Sequence, residues 1–144
     1  MTNVNPPLRL VAAYHQLSSN APEHLLRVPG REMWLAARAA NADKYHVLVP
    51  DLDARTTFDV RSARANRTTL NRPLPNWSRY CAKAVLLLHR EGNAMPGMDV
   101  VVVGDEPTGP RYDYALGMAI LTLAHTMQGR DCDAACLIEA MDRA

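Results

Sequence analysis

The stretch that most constrains the fold of this chain is Met98-Asp99-Val100-Val101-Val102-Val103, where four valines follow one another without a polar break. β-Branched side chains favour the pleated backbone, and a strand apolar on both sides is buried on both faces. The run therefore predicts a central strand, and other segments have to cover it.

Helical spacing supplies candidates. Leu8 to Leu17 places Leu8, Val11, Ala12 and His15 on one face and is stopped by Ser18-Ser19-Asn20-Ala21-Pro22. From Asn76, a good N-cap residue, Trp77, Tyr80, Cys81, Ala84, Val85 and Leu88 follow one apolar face until Gly92. Leu116, Ala119, Ile120, Leu123 and Met127 define another helix closed by Gly129, and a last one starting at Asp131 buries Cys136, Leu137, Ala140 and Met141.

Strands are expected at Leu25 to Val28, at Glu32 to Ala36 with an ambiguous alanine-rich continuation, at Tyr45 to Val49 and at Arg55 to Val60, with Thr68 to Leu70 as a short edge. Several strands followed by helix, strand, helix and helix describe an α+β domain. At 144 residues the chain is one domain's length, long enough to bury roughly two-thirds of its unfolded surface.

Lys plus Arg number 16 against 15 Asp plus Glu, so no overall field directs the chain to nucleic acid or an anionic membrane. Arg61, Arg64, Arg67 and Arg72 form a modest basic group without interleaved aromatics, which reads as a solvated face. Met1 to Pro7 is polar and lacks a signal-peptide pattern, and no apolar stretch approaches a membrane span. The expectation is a cytoplasmic protein.

Its three cysteines, Cys81, Cys132 and Cys136, fall on apolar helix sides and are expected to be reduced core thiols. Cys132 and Cys136 stand one helical turn apart, but no further ligand set of usable spacing accompanies them. His125 and Cys132 are candidates to approach in space, with a helix-packed histidine as the expected outcome, so no metal site is predicted.

Four separated segments resemble the N-terminal domain of galactokinases, members of the GHMP kinase family. Pro22 to Arg31, ending Arg27-Val28-Pro29-Gly30-Arg31, is similar to the family's P-x-x-x-x-R-A-P-G-R. Arg55-Thr56-Thr57-Phe58-Asp59-Val60 resembles R-T-T-V-A-V, and Leu74 to Tyr80 with Pro96 to Val100 resembles the lead into the phosphate loop. Asp105-Glu106-Pro107-Thr108-Gly109 stands where the family has D-V-P-L-G. The resemblance runs from about Leu8 to Ala144. It implies a mixed, mainly antiparallel sheet with helices packed on one face, in a single domain over residues 1–144 without the C-terminal kinase domain.

The departures bear on activity. After Pro-Gly-Arg the family continues V-N-L-I-G-E-H-T-D-Y, which grips sugar hydroxyls, whereas this chain reads Glu32 to Asp43 with five alanines. Alanine makes no hydrogen bond to a hydroxyl. Asp43 and Tyr45 are the candidate displaced sugar ligands. The family's glycine- and serine-rich phosphate loop is replaced by Gly109-Pro110-Arg111-Tyr112-Asp113. Pro110 removes a backbone donor, Arg111 is bulky, and Asp113 is negative beside an anion site.

By this resemblance Arg31 is the surviving catalytic candidate, and Gly109 and Arg111 are the nucleotide-loop candidates. The implied function is a domain inactive alone that binds a sugar-like ligand or a protein. The alternative is half of an ATP-dependent sugar kinase, completed by a C-terminal kinase partner chain. No cofactor is expected on the first reading, ATP and Mg only on the second. The other expected partner is a second copy of this chain, in a homo-oligomer.

Overall fold

The computed structural model describes residues 6–40 and 42–144, so the polar opening residues 1–5 lie outside it. Five strands form one sheet: β1 (His24–Arg27), β2 (Met33–Ala39), β3 (Tyr45–Val49), β4 (Ala54–Phe58) and β5 (Met98–Gly104). The sheet order is β1-β2-β5-β3-β4. Only β3 and β5 run parallel. The valine run therefore occupies the centre, as its composition requires.

Alternation along the strands separates two cores. Met33, Leu35, Ala37, Met98, Val100 and Val102 face the larger one. It is shared with α3 (Arg79–Arg90), α4 (Pro110–Met127) and α5 (Ala134–Arg143), and α2 (Val60–Arg64) packs on α3. Trp34, Ala36, Val101 and Val103 face the other side, where α1 (Leu8–Leu17) covers them with Leu10 and Tyr14. The main helical layer thus lies on one face, and a single helix closes the opposite one.

The apolar face of α1 is not the expected one. Leu10 and Tyr14, four residues apart, are buried, whereas Leu8 is 87% exposed and His15 points to solvent. Burying a leucine and a tyrosine on the sheet contributes about 1.5–3 kcal/mol per large side chain, which fixes the helix's rotation.

The alanine-rich segment continues as strand to Ala39, because two neighbouring strands pair with it along its length. Alanine's helix preference gives way to a filled hydrogen-bond ladder. The strand expected to end at Val60 stops at Phe58. Asp59 instead caps α2 through a reciprocal box with Ser62, its Oδ1 accepting from the Ser62 N–H at 2.7 Å.

Thr68 to Leu70 is a turn, and only an isolated bridge, Arg67 to Pro73, stands near it. Asn76 opens a 3-10 turn, Asn76–Ser78, without capping by its side chain, and α3 follows from Arg79. The last helix starts at Ala134, capped by Asp133.

Every residue of α4 from Ala115 to Ala124 is buried. Such a helix is core on all sides. Gly117 makes this possible, since a Cβ there would lie 2.6 Å from the Met141 Cε and 3.0 Å from Tyr80. Among the described residues, no helix is long and apolar enough to cross a membrane.

Candidate phosphate-loop site

Two connections meet at the Gly104 end of the central strand. The first is the β1–β2 turn. Pro29 presets its second position and Gly30, at φ +75°, its third, and the Arg31 N–H closes it on Val28 O at 3.1 Å. Arg27 Nε donates to Arg31 O at 3.1 Å, and its guanidinium sits 5.4 Å from the Trp34 ring centre. The Arg31 backbone is thereby held from both sides.

The second is the β5–α4 loop, Asp105 to Gly109. Arg31 reaches into it and donates to Glu106 Oε1 at 2.7 Å, with the two side chains only 16% and 18% exposed. The other carboxylate oxygen, Glu106 Oε2, is buried without a hydrogen-bond partner. Gly109 precedes α4 at φ +142°, Pro110 occupies the first turn, and no side chain caps the helix. Residues Glu106 to Arg111 line a cavity of about 260 Å³. That lies just below the roughly 300–1,000 Å³ usual for small-molecule sites.

A polar network missed by the sequence reading fixes the strand end beneath this loop. Asp51, from the 3-10 turn Pro50–Leu52, accepts through Oδ2 from the Gly104 N–H at 2.8 Å and from the Tyr112 hydroxyl at 2.6 Å. Arg9 of α1 pairs with Asp51 Oδ1 and donates to Gly104 O and Asp105 Oδ1, both at 2.9 Å. Burial, and then the bond to Asp51, push the Tyr112 phenol far above its ordinary range, so it remains a donor.

Arg31, Gly109 and Arg111 therefore share one end of the sheet, with Arg111 exposed. Asp43 and Tyr45 do not join them. β2 runs from Met33, opposite Gly104, to Ala39, opposite Met98, and carries the chain to the far end. Six strand intervals separate the two ends by roughly 20 Å.

Tyr45 is 5% exposed, stacks near Phe58, and donates its hydroxyl to Met95 O. Burial, then nearby Asp43, raise its phenol pKa. It is a core residue, and Asp43 is an exposed connection residue. These two candidate sugar ligands thus lie at the opposite end of the sheet from Arg31.

The cysteine expectation is also corrected. Cys132 and Cys136 are joined in a disulfide, with Cys132 in the connection before α5, and only Cys81 is a free buried thiol. Burial raises the Cys81 thiol to about 12.

Solved structures share this architecture. Galactokinase from Lactococcus lactis, complexed with galactose, matches with a TM-score of 0.58 at 15% identity over 78% of this chain and 29% of that one. The fold is that of the GHMP kinases. A mevalonate kinase matches with a TM-score of 0.57 at 12% identity, covering 76% of this chain and 35% of the other. The Methanococcus jannaschii mevalonate kinase gives 0.56 at 8%, covering 76% and 34%. This chain thus spans about a third of the length of those GHMP-fold proteins. No protein-family model and no curated protein sequence matches the chain.

Proposed function

We propose that this chain is a kinase-fold domain that does not transfer phosphate and acts by binding a small hydroxyl-bearing ligand, such as a sugar, at the β5–α4 loop. The Arg31–Glu106 ion pair carries this reading. The guanidinium of Arg31, the candidate partner for a phosphate, is already matched by a largely buried carboxylate. A polyphosphate entering the loop would meet the charge of Glu106, with Arg111 as the one cation lining the cavity, and would find Pro110 in place of a backbone donor.

The same geometry suits a neutral polyol. Glu106 lines the cavity and its buried Oε2 is an acceptor without a donor, which a ligand hydroxyl would satisfy once the carboxylate turns toward the opening. The galactose in the galactokinase structure makes a hexose the first ligand to test. This reading needs neither ATP nor Mg.

A second reading is half of an ATP-dependent sugar kinase, completed by a C-terminal kinase partner chain. The observation in its favour is coverage of only 29% of the galactokinase. ATP and Mg belong to that reading alone.

Thermal melting with galactose and related hexoses, MgATP and MgADP separates the two. A hexose at about 100 times its Kd stabilises by about 2.7 kcal/mol, a shift of several degrees, and the nucleotides give none. MgATP-dependent phosphorylation of galactose that is lost in Arg31→Ala would overturn the binding-module reading.

A further inference from the structure

Three side chains with metal-ligand chemistry converge where α4 hands over to α5. His125, Cys132 and Cys136 each present a ligand atom, all within 4.8 Å of one another. We propose that they form a redox-gated site for a divalent transition-metal ion of the zinc type, closed as the Cys132–Cys136 disulfide when oxidised and opened as a two-thiolate, one-imidazole site on reduction.

The ligand set determines the class of ion. Two thiolates and an imidazole suit a zinc-type ion and disfavour magnesium or calcium, which take oxygen ligands. Three protein ligands leave a fourth position for water or a ligand. In such a site the donor atoms stand roughly 3.5–4 Å apart around bonds of about 2.0–2.3 Å. The observed 4.8 Å spread approaches that arrangement, and breaking the S–S bond allows the sulfurs to separate toward it. Cys132 lies in the connection before α5, outside either helix.

The surroundings leave the three side chains open to an ion. His125 Nδ1 is buried without a hydrogen-bond partner, so the ring is not committed to a structural network through that atom. Cys136 sits in the first turn of α5, where its N–H donates to Asp133 Oδ1 at 2.9 Å. All three residues are partly exposed, which gives an ion access.

The chemistry balances. A phosphine reductant gives two electrons to the disulfide, takes oxygen from one water to become the phosphine oxide, and leaves both water protons on the sulfurs as two thiols. The divalent ion then displaces one proton from each thiol. Two thiolates cancel its charge, so Arg130 and Arg143 face no added net charge.

The test uses the whole chain, reduced with a water-soluble phosphine and titrated with Co²⁺ and then Zn²⁺. The expected result is one Co²⁺ per chain with thiolate-to-cobalt charge-transfer and tetrahedral d–d absorption, bleached by Zn²⁺. Unreduced protein gives neither band. Cys132→Ser and Cys136→Ser each abolish the charge-transfer band or weaken binding by at least about tenfold, and His125→Gln weakens it about tenfold. Melting curves verify that the variants are folded.

Should a variant not fold, alkylation of the reduced wild type followed by mass spectrometry decides instead. Zn²⁺ then protects Cys132 and Cys136. Absence of the cobalt bands in reduced, folded protein, bands unchanged in Cys132→Ser, or equal alkylation with and without Zn²⁺ would overturn the proposal.

Discussion

The two ends of the central sheet have diverged in kind. At the Gly104 end, Arg9, Arg31, Asp51, Asp105 and Glu106 are bonded across four chain segments, and exposed Arg111 stands at the rim. At the Met98 end, polar groups serve packing. Tyr45 is bonded to Met95 O, and Gly97 is pressed against the β2–β3 connection, where an added Cβ would lie 2.0 Å from Ala42 O and 2.7 Å from Lys44 N. Charged chemistry is concentrated at the loop end, and mechanical constraint at the other.

Substitutions at the two ends should therefore fail differently. Gly97→Ala should be the most damaging, because backbone rather than a flexible side chain blocks the new Cβ. Strain of that kind costs about 4 kcal/mol or more, read as a large drop in the denaturation midpoint. A midpoint within error of wild type would refute the packing account of this end. Glu106→Ala should cost about 1.5–3 kcal/mol, because it leaves Arg31 largely buried and unpaired. A neutral result would mean that the pair is dispensable.

Tyr112→Phe removes one donor from Asp51 while Gly104 and Arg9 remain, and should cost about 1 kcal/mol in chemical denaturation. Asp43→Ala, at an exposed position, should stay within about 0.5 kcal/mol and leave ligand-induced melting shifts unchanged. A lost sugar response in Asp43→Ala would restore the far end as a binding site.

The legibility of the sequence follows the same division. The β5 position was readable because four consecutive valines require burial on both faces, and the Pro29-Gly30 turn because each residue has a distinct backbone role. The rotation of α1 was not readable. Leu8, Val11 and Leu10, Tyr14 are both plausible stripes, and only the sheet beneath selects the second. β2 hid behind alanine's helix preference until its two partner strands were in place.

In the site, motif register alone brought Arg31 to the β5–α4 loop. Asp43 and Tyr45, near Arg31 in sequence, stand far from it in space, since the single strand between them spans the domain. Glu106, Asp51 and Arg9 were beyond reach because their partners lie 42 to 96 residues away. The convergence of His125 with the cysteine pair likewise depends on how the α4–α5 connection turns.

The central claim is that Glu106 takes the place of phosphate beside Arg31. Calorimetric titration of wild type and Glu106→Gln with MgATP tests it most directly. Wild type should show no heat of binding, whereas Glu106→Gln, with Arg31 released, should gain weak, salt-sensitive binding. MgATP binding by wild type as tight as, or tighter than, that by Glu106→Gln would contradict the account.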